Sequence, residues 1–123
     1  MRWTRITERL VDGVAVLDLE AQSMGMDHEG QLAGKIDELL HQGHSKILLN
    51  LARLSYMDSD GLARVIQGYK IAKEAGATVK LCVHPKISNL LHDSRLDTFL
   101  EAYESEPEAI RSFGSSEGAG EPS

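Results

Sequence analysis

Apolar positions along the chain change their period several times, and each change marks an element. Residues 4–11 and 14–19 are two β-rich runs, and the second, with Val14, Val16, Leu17 and Leu19, reads as the more buried strand. Between them, Asp12-Gly13 is the dipeptide that most readily supplies both positive φ angles of a tight turn, which predicts a hairpin. Residues 21–26 show no period and read as loop, with Met24 and Met26 as plugs into the core. A helix is expected from Asp27, which can cap it, with Leu32, Ile36, Leu39 and Leu40 inward and Gly43 at its end. Gly30 and Gly34 weaken the first half of that helix by about 1 kcal/mol each relative to Ala, which favours a late start.

The stretch from Lys46 to Ala75 organises the rest. Ile47, Leu48, Leu49 and Leu51 form a near-continuous apolar run of strand length, the mark of a strand buried on both faces. Further on, Leu62, Val65, Ile66, Tyr69 and Ala72 recur at helical spacing and predict a helix with these residues on one face. Asp58-Ser59-Asp60-Gly61 lies between strand and helix. Its first three side chains can each accept a hydrogen bond from the free N–H groups of a first helical turn. Gly76 then stops the helix, residues 78–83 form another strand, and His84-Pro85 opens a short helix carrying Ile87, Leu90 and Leu91. A short fifth strand is expected around Phe99 and Leu100. Ser105 and Glu108 form a capping box ahead of a last helix ending near Phe113.

Strands alternating with helices imply an α/β fold. The expected architecture is a single domain over residues 1–113, a mixed four- or five-stranded sheet with about four helices mainly on one face. Residues 114–123, made largely of Gly, Ser, Glu and Pro, read as a disordered C-terminal tail. In such sheets functional sites gather where strands end and helices begin, which points to the turn at Asp58.

Composition narrows the function. The chain has 123 residues, 41% hydrophobic and 26% charged, which is globular, and no apolar run is long enough to span a membrane. Its first residues lack the apolar centre of a signal peptide, so a cytoplasmic location without membrane insertion is expected. The single Cys82 falls in a buried strand and rules out a disulfide framework. A net charge of −6 argues against direct nucleic-acid binding, which needs clustered cations, and favours protein partners.

Catalytic readings of the Asp58 turn fail on their own requirements. A nucleophile elbow needs Gly-x-Ser-x-Gly, whereas Ser59 sits in Met57-Asp58-Ser59-Asp60-Gly61. A phospho-aspartate at Asp58 would need a magnesium site, and the strand ending at Leu19 offers only Asp18 and Glu20 on opposite faces. His41 and His44 lack further ligands and read as surface residues, and glycine-rich phosphate loops are absent. No cofactor and no metal are expected, and the chain is read as a kinase substrate or binding module instead of a catalyst.

Asn50-Leu51, Met57-Asp58-Ser59-Asp60-Gly61-Leu62 and Gly68-Tyr69-Lys70, in this order of elements, resemble the STAS domain family, and especially bacterial anti-sigma factor antagonists. The resemblance implies that Ser59 is phosphorylated by an anti-sigma factor that is a serine kinase, and that phosphorylation ends binding to that partner. It implies contacts through Asp58, Ser59, Asp60 and Gly61, a phosphatase that reverses the switch, and a monomer or weak dimer. In two respects the chain departs from the family. Asp60 stands where small or hydroxylated residues are common, and residues 20–27 replace the usual loop after the second strand, leaving Asp27 as the substitute for its acidic residue. The alternative is a STAS binding or scaffold module of a stress-signalling or transporter-associated complex, with Ser59 serving only as a helix cap.

Overall fold

The computed structural model describes residues 3–21, 31–54 and 56–118. Five strands lie side by side in chain order: β1 (Trp3–Val11), β2 (Val14–Ala21), β3 (Lys46–Leu51), β4 (Thr78–Val83) and β5 (Ala102–Tyr103). The first pair is antiparallel and every later pair parallel, so the sheet is mixed as expected. Asp12 and Gly13 adopt φ of 50° and 81° between β1 and β2, the left-handed pair that lets the hairpin close in two residues. Four helices complete the described chain: α1 (Gln31–His41), α2 (Ser59–Glu74), α3 (Pro85–Asp93) and α4 (Glu106–Gly118).

Alternation along the strands splits the core in two, because successive side chains leave a strand on opposite faces. Ala15, Leu17, Leu19, Ile47, Leu49, Leu51, Val79, Leu81 and Val83 face α1, α2 and α3. Val14, Val16, Leu48 and Cys82 face the other way and pack on Ala109, Ile110 and Phe113 of α4. Three helices therefore share one face and the fourth covers the reverse.

Two boundaries differ from the sequence reading, those of the fifth strand and the last helix. The described part of α1 begins at Gln31, while Asp27, Met24 and Met26 lie outside the described residues. The fifth strand is at Ala102–Tyr103, after the residues expected to form it. Arg95 takes a left-handed φ of 62°, the chain tightens into a 3-10 turn over Leu96–Thr98, and Leu100 N bonds back to Leu96 O at 2.9 Å. Phe99 and Leu100 are thus spent on closing a turn, and the apolar pair that looked like a strand is its end. The last helix runs to Gly118, past the expected end at Phe113, and of the expected tail residues 119–123 lie outside the described residues.

The α2 stripe is rotated from its expected position. Gly61, Val65, Gly68 and Ala72 are the buried residues, while Leu62, Ile66 and Tyr69 flank them and are partly covered. Gly68 is the reason. A Cβ there would come within 2.6 Å of Ile36 Cδ1, so the absence of a side chain lets α2 settle closely on α1 with its glycine edge inward.

Candidate functional site

The turn at Asp58 lies at the carboxyl edge of β3, between two buried anchors and an exposed helix start. Leu54 and Met57 are buried and hold the connection down, Leu54 N bonding to Leu51 O at 3.0 Å, while Tyr56 between them is exposed. Asp58 has extended backbone and caps α2: its Oδ1 accepts from Gly61 N at 2.8 Å, and its carbonyl accepts from Leu62 N at 3.0 Å. Of the three caps the sequence allows, Asp58 is the one used, and it makes Ser59 the first residue of α2. Ser59 and Asp60 are exposed, Asp58 is half-buried and Gly61 is buried. Asp60 Oδ1 lies 3.7 Å from Arg64 Nη2 one turn on, an exposed pair of modest weight.

An exposed hydroxyl at a helix start is open to a modifying enzyme, and the free N–H groups and helix dipole of that first turn favour an added anion. Among the described residues no imidazole is hydrogen-bonded to it. Among the candidates, His84 caps α3 through Nδ1, which accepts from Lys86 N at 3.1 Å, and exposed His92 pairs with Asp97 at 2.9 Å, which raises its pKa. Among the described residues no group of three or more His, Cys, Asp or Glu is placed to hold a metal. No helix among them is long and apolar enough to cross a membrane.

A second polar cluster, unsuspected from sequence, borders the same sheet edge on the α4 face. Arg9 on β1 is held by Asp18 on β2, with Nη2 to Oδ1 at 2.9 Å, and by Glu106 at the start of α4, with Nη2 to Oε1 at 2.7 Å. The bond from Arg9 keeps the Asp18 carboxyl below the usual carboxylate range against the effect of burial, and a bond from Asn50 adds to it. Asn50 Nδ2 donates to Asp18 Oδ1 at 2.7 Å, and Asn50 Oδ1 accepts from Ala52 N at 3.1 Å, just past β3. Arg53 pairs with Glu20, fastening the same connection to the end of β2. Further along the α4 face, Lys80 is only 4% exposed; its Nζ donates to Ser112 Oγ at 2.9 Å and lies 3.2 Å from Glu101.

A family model described as "Mlab, STAS domain" matches residues 6–101. The fold and its Asp-Ser turn thus define the class, and the chain belongs to the STAS domain family. Among curated relatives, the anti-sigma F factor antagonist of Paenibacillus polymyxa is 28% identical over 102 residues, spanning 80% of this chain and 85% of that protein. Among solved structures, the anti-sigma factor antagonist SpoIIAA in its unphosphorylated form is 26% identical with a TM-score of 0.66, over 89% of this chain and 97% of that one. An anti-sigma factor antagonist from Mycobacterium paratuberculosis is 16% identical with a TM-score of 0.71, over 88% and 92% of the two chains, and is a likeness of fold.

Proposed function

We propose that this chain is an anti-sigma factor antagonist that binds an anti-sigma factor kinase, releases a sigma factor, and is switched off by phosphorylation at Ser59. The observation that carries this reading is the position of Ser59, exposed as the first residue of α2 directly after an aspartate that caps the helix. The names of the relatives at 28% and 26% identity support it. Asp58, Ser59 and Asp60 form the partner-facing rim of the turn, with buried Gly61 behind them, and Asp27, outside the described residues, contributes to the same partner contact. A phosphatase restores the active form. The chain itself catalyses nothing in this scheme and works in the cytoplasm.

The chemistry of the switch follows from the turn. A phosphate adds about −1.5 to −2 charges between two carboxylates. Free amides at the start of α2 accept it without unfolding the helix, so the change is one of surface: a bulky anion enters an interface built for a hydroxyl. Such an unpaired charge costs a few kcal/mol in an interface core, and every ~1.4 kcal/mol is tenfold in affinity. The test is incubation with ATP and each anti-sigma factor kinase encoded in the same genome, followed by mass spectrometry, with calorimetry of Ser59→Ala and Ser59→Asp. Ser59→Ala should bind as the wild type does and take up no phosphate, while Ser59→Asp should bind at least about tenfold more weakly with an unchanged melting temperature. Phosphate on another residue, or equal affinity of the two folded variants, would favour the scaffold reading.

A further inference from the structure

We infer that Asn50 is a positioning residue for the Ser59 turn: its carboxamide, oriented by Asp18 and Glu106, holds the backbone at the point where the chain leaves β3. This deepens the reading of Ser59 as a phospho-acceptor and rests on it for its functional arm. Asn50 Nδ2 lies 2.7 Å from Asp18 Oδ1 and 3.4 Å from Glu106 Oε1. Both carboxylates are acceptors only, so one orientation of the amide satisfies them, with the NH2 turned toward the acids. That orientation leaves Oδ1 facing Ala52 N at 3.1 Å. The flipped amide would set an oxygen against a carboxylate and an NH2 against an N–H.

Each neighbour has its own support. Arg9 grips both Asp18 and Glu106, so the two acceptors are fixed in place. Asp18 comes from β2 and Glu106 from the first turn of α4, so three elements set the direction of one side chain. Downstream, Leu54 and Met57 are buried and Asp58 caps α2. The connection to Ser59 is thus tied at its start by Asn50 and at its end by Asp58. Loosening the start multiplies the arrangements of the turn. A partner that accepts one of them then loses apparent affinity in proportion to the fraction remaining, with no change in the step that follows binding.

The experiment compares Asn50→Ala with Asn50→Asp, which keeps an acceptor for Ala52 N–H but sets its second oxygen against Asp18 and Glu106. Amide hydrogen exchange of the free protein should show Ala52 opening about tenfold faster in Asn50→Ala, the loss of one hydrogen bond, with the acceleration confined to residues 52–58. Asn50→Asp should fail to restore protection, because its second oxygen is set against Asp18 and Glu106, and Leu49 and Val65 should stay unchanged in Asn50→Ala. In Ser59 phosphorylation, Asn50→Ala should raise KM about tenfold at constant kcat, and Asn50→Asp should not reverse this. Unchanged protection at Ala52, or acceleration spread evenly through β3 and α2, overturns the inference. If no kinase modifies wild-type Ser59, the proposed function fails, while the exchange data still decide whether Asn50 sets the turn.

Discussion

Asp18 shows how a residue acquires a role that its own sequence neighbourhood does not announce. Its partners are Arg9 across the hairpin and Asn50 on the next strand, and Arg9 in turn reaches Glu106, 97 residues away. Caps are different, because they are local: Asp58 bonds to an amide three residues on, which is why the Ser59 turn was legible from four letters of sequence and the Arg9 cluster was not. Its charge makes Asp18 testable. The folded-state pKa is depressed, so the stability it contributes is present above the unfolded value and is lost as pH falls through the folded one. Because Arg9 is 39% exposed, the effect is discounted for solvent, to about 1 kcal/mol at pH 7 for Asp18→Asn. Urea titrations of wild type and variant should diverge by that amount at pH 7 and begin to converge once the pH falls below about 4. A difference that did not shrink at all on further acidification would assign the cost to shape instead of charge.

Elements were readable where one signal dominates and misplaced where two compete. The hairpin, β3, β4 and the Pro85 start of α3 each follow from a turn dipeptide or a mostly apolar run of strand length. At Phe99-Leu100 an apolar pair competed with a tight turn and lost, and on α2 the large apolar residues drew the expected inward face away from Gly68. That glycine is the place to test helix packing. Gly68→Ala gains about 1 kcal/mol of helix propensity but drives a Cβ to 2.6 Å from Ile36 Cδ1, and Ile36 is fully buried. Overpacking of this kind costs about 1–3 kcal/mol, so the single variant should be destabilised by about 1 kcal/mol. Ile36→Val removes the clashing methyl. In that background Gly68→Ala should stabilise, by up to about 1 kcal/mol, because propensity alone remains. Urea midpoints of the four proteins in this cycle give the answer, and an effect of the same sign in both backgrounds would refute close approach at Gly68.

At the scale of the whole molecule the two faces of the sheet are unequal, and this sets the order in which the structure opens. Among the residues whose burial is described, twenty make up the cluster between the sheet and α1, α2 and α3, whereas the cluster beneath α4 has seven, of which α4 supplies Ala109, Ile110 and Phe113. Much of what holds α4 is polar: Glu106 on Arg9, and Ser112 on Lys80, whose Nζ also lies 4.9 Å from the Phe113 ring. Burial alone opposes the charge on Glu101, yet bonds from Tyr103 and Lys80 keep its pKa low, so Lys80 is paired within the sheet as well as on α4. When α4 lifts, these charged groups return to water instead of being stranded, which makes the opening cheaper than exposing the larger core. Cys82 reports it. The thiol lies under α4, is 2% exposed, and burial pushes its pKa up, so a thiol reagent reacts only from the open form. Labelling in native buffer should therefore run faster than global unfolding and depend weakly on urea. Phe113→Ala should speed it by at least about a hundredfold, since losing a buried phenyl costs about 3–5 kcal/mol and falls on this opening. Leu91→Ala, on the larger face, should lower the urea midpoint and leave labelling in native buffer close to wild type. Equal acceleration by both substitutions would mean that the two faces open together.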